Sequence, residues 1–450
     1  MKLSRISLPR FLTSAELRKM KKAKQFHHFT ISPFHHFTIS PFHHFTISPF
    51  IFMLLTEVTD KKSRRIFLDM VETIYRGDPY YVRPLDQEIE RVFNPETNSF
   101  FLHGEAVRWI LKDDNGKVIG RVAAFINKRK AFTFQQPTGG MGFFEVINNK
   151  EAANLLFNTC RDWLAARGME AMDGPINFGE NDVFWGLLVE GFMHPGIGMN
   201  YNPPYYKEFF ESYGFKFYFE QISNHLDLTK NFPDRFWKIA EWAMRKKELT
   251  FRHFEFSLQE KFMNDMKEVY DDAWKFHENY TPLDKATMIK GIEKAKPFMD
   301  PELIWFAYYE DEPVAFLVHF PDVNQIIKHL HGKLHLFNKL KFLWLKYRKT
   351  MTRTRIVIMG VKPKYQRFGV ESGIFFYLDK VMKKNPHITE VELGWVGDFN
   401  PKMRALHESV GAVFAKRHVT YRKLFNETVE FQRSTIIPVD TKDRVIKGGE

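Results

Sequence analysis

The feature that most restricts this chain is an order of hydrophobic periods that occurs twice. After Met53 the pattern predicts a strand over 54–59 and a helix over 61–76. Two strands follow, AVRWILKD and KVIGRVAAFIN, joined by a DDNG turn. MGFFEVI predicts a third strand, and NKEAANLLFNTCRDWLAARGM an amphipathic helix that stops at Gly168. EAMDGPINF reads as a strand, NPPYYKEFFESYGF as a short helix and KFYFEQISNHLDL as a closing strand. A linking helix over 233–249 precedes the same order again: strand TFRHFEF, helices within 258–280 and 284–299, and strands at 303–310, 313–320 and 355–361. Helix 370–385, strand 389–395, helix 401–411 and strand 412–425 complete it. Both halves read β-α-α-β-β-β-α-β-α-β, which predicts an α/β chain of two mixed-sheet halves in tandem. The expected organisation is a first domain at 53–230, a linking helix at 231–250, a second domain at 251–427 and a tail at 428–450.

Residues 1–52 stand apart. HHFTISPF occurs three times without a change over 27–50. An eight-residue period keeps no helical face, and Pro33, Pro41 and Pro49 interrupt any ladder. The paired histidines have no cysteine or carboxylate beside them, so no metal site is expected. This segment is read as a disordered extension, with Met53 the expected natural initiator and a basic targeting peptide the alternative. It carries eight Lys/Arg and one Glu, so it supplies +7 of the net charge of +12. The mild remainder gives no reason to expect specific nucleic-acid binding. No run of 18 apolar residues exists, so no transmembrane helix is expected. A lone cysteine, Cys160, fits a reducing, cytoplasmic compartment, and its apolar helical setting makes it a core residue. Of 47 Phe, 38 lie outside the extension, enough for an aromatic core or a large apolar pocket.

The chemistry concentrates in RIVIMGVKPKYQRFGVESGIFFYLDKV, residues 355–381. A β-rich strand runs into a basic, glycine-containing loop that opens a helix, and a helix N-terminus is an anion site suited to a pyrophosphate. This stretch resembles the cofactor motif of the GCN5-related N-acetyltransferase (GNAT) superfamily, Gln/Arg-x-x-Gly-x-Gly/Ala. Gln366 and Gly369 match, and Glu371 departs at the last position. Ser372 and Gly373 offer the small residues instead. The resemblance implies an acyl-CoA site built from Gly360, Val361, Gln366, Arg367, Phe368, Gly369, Val370, Glu371, Ser372 and Gly373. A second family pattern resembles DFNPKMRALHESVGAVF. Asn400 and Gly411 match, and His407 stands where the family has the Tyr that protonates the CoA thiolate. The alternative for His407 is a partly buried helix residue. Glu390 and Glu392 share one strand face, and Glu392 is the candidate base for the amine. Glu390 reads as a solvated or salt-bridged residue.

The resemblance with its cofactor motif spans 251–425. The first half has the same element order without the motif, and is expected to complete a substrate cleft. After Met53 the whole chain resembles bacterial tandem-GNAT proteins. The implied function is an acyl-CoA-dependent N-acyltransferase in which a small-molecule amine attacks the thioester directly. Two alternatives remain open: a transferase drawing on an acyl-carrier protein or charged tRNA, and a non-catalytic GNAT-fold binding protein. Residues 328–355 hold nine Lys/Arg and no acid. They are expected to form a long loop with an amphipathic helix packed on the domain. A peripheral membrane or acyl-carrier-protein contact is the functional alternative.

Overall fold

A computed structural model describes residues 53–179, 183–275, 282–366 and 368–435. The octapeptide repeat, Arg367 and most of the tail lie outside them. The described residues form one unit. Its strands join one sheet: β1 (Leu54–Glu57), β2 (Gly104–Lys112), β3 (Val118–Asn127), β4 (Thr138–Val146), β5 (Ala171–Gly174), β6 (Leu187–Glu190), β7 (Lys216–Asp227), β8 (Leu249–His253), β9 (Trp305–Tyr309), β10 (Glu312–Pro321), β11 (Arg353–Val361), β12 (Glu390–Gly397) and β13 (Val413–Leu424).

The strand order is β1-β2-β3-β4-β5-β13-β7-β12-β11-β10-β9-β8, with β6 pairing β13. The two halves therefore exchange their last strands. β7, which ends the first half in sequence, pairs antiparallel with β12 of the second. β13, which ends the second, pairs with β5 of the first. The two exchanged strands also pair with each other along most of their length. Thus the sequence boundary at 230 does not divide the sheet. The fold is the mixed α/β tandem expected from the sequence, fused through its centre.

The helices follow from their apolar stripes. The helix α1 (Lys61–Asp69) stops at Met70, short of the expected 76, and a separate turn, Val71–Ile74, follows. α2 (Lys150–Ala165) is capped by Asn149, whose side chain accepts from the Ala152 amide at 2.8 Å, worth about 1 kcal/mol. It buries Leu156, Phe157, Cys160 and Leu164 against the first half of the sheet. Burial pushes the Cys160 thiol up, so it stays protonated. α3 (Tyr206–Tyr213) completes that core. α4 (Asp234–Met244) is the linking helix. α5 (Gln259–Trp274) and α6 (Lys285–Ala295) belong to the second half. α7 (Leu336–Tyr347) lies in the basic segment, α8 (Val370–Lys384) follows the glycine-bearing loop, and α9 (Pro401–Ser409) precedes β13. Among the described residues no helix is long and apolar enough to cross a membrane.

Candidate functional site

Two parallel strands make the opening. β11 and β12 pair only over Arg353–Ile356 with Glu390–Leu393. Beyond that they part, because β12 turns toward β7 through a register shift between Leu393 and Val396. A cavity of about 1320 Å³ opens there, above the ~300–1,000 Å³ of ordinary ligand pockets. The helix α8 starts at its edge. Gly369 takes φ +71°, a left-handed conformation that glycine adopts without strain, and turns the chain from the loop into the helix. A Cβ there would stand 3.2 Å from Ala243, so Gly369 also lets α4 pack close.

The structure brings Gly360, Val361, Gln366, Gly369, Glu371, Ser372, Asn400 and His407 together on the cavity wall. Gln366 Oε1 accepts from Lys402 Nζ at 3.2 Å. Asn400 caps α9 by accepting from the Met403 amide at 3.3 Å. Three of the expected residues face elsewhere. Val370 is fully buried in the core and Phe368 packs on Tyr309 and Tyr365. A Cβ on Gly373 would run into the Phe251 ring at 2.2 Å, so that glycine serves helix–sheet packing.

Glu371, the departure from the family pattern, lies on the cavity wall at the first turn of α8. Burial raises its carboxyl to about 7, against a smaller lowering by its own backbone amide. A carboxyl raised by burial therefore occupies the end of the helix where the resemblance implies a pyrophosphate. His407 is nearly buried, and its Nδ1 accepts from the Asn224 side-chain amide at 3.1 Å, which leaves the hydrogen on Nε2. Burial pushes its pKa down to about 4. At neutral pH it is an uncharged N–H donor and cannot act as an imidazolium acid.

Glu392 does not line the cavity. It is fully buried, and its Oε2 accepts from Lys416 Nζ at 2.5 Å and meets His225 Nε2 at 3.2 Å. Burial alone would raise its pKa, but Lys416, His225 and Arg353 hold it well below the usual carboxylate range. The expected base is therefore an ion-paired residue at the join of the halves. Arg353 continues the cluster to buried Asp322 at 2.5 Å and donates to the Pro195 carbonyl of the first half at 3.3 Å. Glu390 is salt-bridged at 3.5 Å to Arg353 and lies 3.5 Å from the His225 ring.

Sequence reasoning expected an apolar pocket and a contribution of the first half to the cleft, but named none of the residues of two parts of the cavity. One arm lies between α5, α6 and the sheet, lined by Met263, Met266, Trp274, Met288, Ile292 and Phe320. The other reaches the first half, at Phe125, Ile176, Phe178, Trp185 and Asp173, which is paired with Arg422 behind it. Their helical and strand spacing matches an ordinary core face, so no local signal separates them. The corresponding wedge of the first half is filled. β4 and β5 pair only over Thr138–Gly140 with Ala171–Asp173, and Ile176 then donates to the Met141 carbonyl at 2.8 Å. A Cβ on Gly142 would stand 1.9 Å from the Ile176 oxygen. Below it, Glu145 accepts from Tyr75 and Tyr206, each at 2.9 Å. Among the described residues no group of His, Cys, Asp or Glu could hold a metal ion.

No family profile matches the sequence. A bacterial ceramide synthase from Caulobacter vibrioides is 29% identical over 369 residues, 79% of this chain and 94% of its own length. Protein YghO from Escherichia coli is 24% identical over 380 residues, 82% of this chain and 95% of its own. Among solved structures, the GCN5-related glucosamine N-acetyltransferase region of a fungal multi-domain β-N-acetylglucosaminidase superposes on 84% of this chain. Its TM-score is 0.50 at 13% identity, and this chain spans 38% of that one. The chain has the GNAT fold, carried twice along one polypeptide.

Proposed function

We propose that the protein is an N-acyltransferase that moves a long acyl group from acyl-CoA to the amine of a long-chain amino alcohol. The observation that carries this reading is the cavity. Its apolar arm between α5, α6 and the sheet suits the acyl chain, and its arm in the first half suits a second chain, with Glu371 and His407 also on its wall. The ceramide synthase relative supports it, since a ceramide is the amide of a fatty acid with a long-chain amino alcohol. Gln366, Lys402 and the first amides of α8 would hold the donor's phosphates. Glu371 stands in the first turn of α8 beside those phosphates, so it receives the donor in its neutral form, and the amine attacks as the free base. The amine nitrogen forms the C–N bond, the C–S bond breaks, and a proton of that nitrogen passes to the departing sulfur, which leaves as the thiol beside the His407 Nε2–H. Such an enzyme works beside its thioester donor in the cytoplasm.

The test is thiol release and amide formation by the full chain, given donors from acetyl-CoA to stearoyl-CoA and a saturated long-chain amino alcohol. Amide appearing only with long donors supports the reading. No thiol release with any donor overturns it. A second reading is favoured by Glu371 itself, because a carboxyl at the phosphate position opposes CoA. The donor would then be an acyl-carrier thioester, and turnover with that donor and not with acyl-CoA would select it.

A further inference from the structure

The helix α7 presents its apolar residues in the wrong direction for a helix whose outer face meets water. Asn338, Phe342 and Leu345 form its inner stripe. Phe342 and Leu345 pack on a cluster that includes Val323, Ile327 and Leu330. The opposite stripe is Leu336, Leu340, Leu343, Trp344 and Tyr347, every one of them exposed, Trp344 by 56% and Tyr347 by 85%. At 3.6 residues per turn these five cover about 100° of arc. Phe337, 78% exposed, widens it. Lys341 lies on one flank of the stripe, and Lys339 and Lys346 on the other. An ordinary amphipathic helix turns charge outward and buries one apolar face. This helix has a buried apolar face and a second, exposed one edged by lysines.

The surrounding charge has one sign. Of the nine Lys/Arg in 328–355, Arg353 and Arg355 are buried in the ion cluster at the join of the halves. The other seven are exposed, and among the described residues none pairs with a carboxylate. Lys341 and Lys346 donate instead to the backbone carbonyls of His329 and Pro297, at 2.9 and 2.7 Å. The second contact joins α7 to the segment ending at Met299, which lines the apolar arm of the cavity. Phe298 packs on both the cluster under α7 and the core beside that arm.

We infer that α7 seats this protein on an anionic lipid bilayer, its outer stripe entering the headgroup boundary and its lysines meeting the phosphates. Apolar side chains at such a boundary are removed from water, and flanking lysines gain from the negative surface potential. The position beside the apolar arm would let chains pass between bilayer and cavity without crossing water. The inference does not depend on which amine is acylated.

The test is co-sedimentation of the full chain with vesicles of equimolar phosphatidylcholine and phosphatidylglycerol, and with phosphatidylcholine alone. Binding to the anionic vesicles is expected, weakening as salt rises. The variant Leu340→Glu/Leu343→Glu/Trp344→Glu should lose at least tenfold in vesicle affinity with unchanged thermal unfolding, because all three side chains are exposed. Lys339→Glu/Lys341→Glu should reduce the preference for anionic lipid. The inference is overturned if the chain binds neither vesicle, or if the triple variant binds as well as the parent, which would assign binding to the basic segment before Met53. It is also overturned if vesicles do not bind and an acidic carrier protein is the partner lost from the triple variant.

Discussion

The Glu392 carboxylate and the Lys416 ammonium meet at 2.5 Å, and neither side chain is exposed at all. β12 and β13 are not neighbours in the sheet. β7 lies between them, and the two side chains meet across it. Removing one partner leaves an uncompensated buried charge. Lys416→Met or Glu392→Met should each destabilise the fold by roughly 3–5 kcal/mol, while the double apolar replacement should recover much of that loss. Denaturant titration of the singles and the double measures it. Equal loss in all three would show that the pair contributes nothing as a pair.

Glu371 should report in two ways. Its folded pKa, raised to about 7, exceeds the ordinary 4.5, so the folded state holds its proton longer than the unfolded chain does. Stability is fully present below 4.5 and is lost as pH rises through 7. Glu371→Gln should therefore stabilise the protein by about 3 kcal/mol at pH 8 and much less at pH 5. As a carboxyl beside the donor's phosphates, Glu371 should also oppose acyl-CoA once ionised, so KM for the donor should rise as pH passes 7. Glu371→Gln should remove that rise and leave kcat little changed. A stability change with an unaltered rate profile would confine the residue to a structural role.

Much of the fold could be read from the sequence, and the reasons differ by element. The repeated element order and the strand–loop–helix at 355–381 rest on local periodicity and on Gly369, which a left-handed turn requires. The strand exchange was not legible. β7 and β13 pair with each other and carry similar alternation, and only tertiary packing decides which half each one closes. Glu371 was visible as a departure, but its raised pKa comes from burial that no local pattern encodes. Glu392 looked available because its partners, Lys416, His225 and Arg353, come from three other strands. The apolar outer stripe of α7 was present in the sequence, mixed with the inner stripe, and the structure separates the two.

The arm between α5 and α6 should set donor chain length. Met266 lines it on α5. Met266→Trp adds bulk at a fixed place in the arm. The expected result is a fall of at least tenfold in kcat/KM for a palmitoyl donor with an acetyl donor little changed, one or two lost methylene contacts being worth about 1–3 kcal/mol. Equal loss on both donors would mean that the arm does not hold the chain.

Acid should unfold this protein through its buried histidines. His319 is 1% exposed with neither ring nitrogen hydrogen-bonded among the described residues, and burial lowers its pKa to about 3. Burial likewise lowers His407 and His418 to about 4. Each binds a proton more readily in the unfolded chain, near 6.5. Stability is therefore present above 6.5 and is lost as pH falls through the folded values. From His319 alone the loss between pH 7.5 and pH 5 is about 2 kcal/mol. His319→Leu removes the titration and an unpartnered buried ring together, so it should flatten the acid limb by that amount and cost little at pH 7.5. Thermal unfolding of parent and variant at both pH values decides it. Parallel losses on acidification would assign the acid limb to other groups.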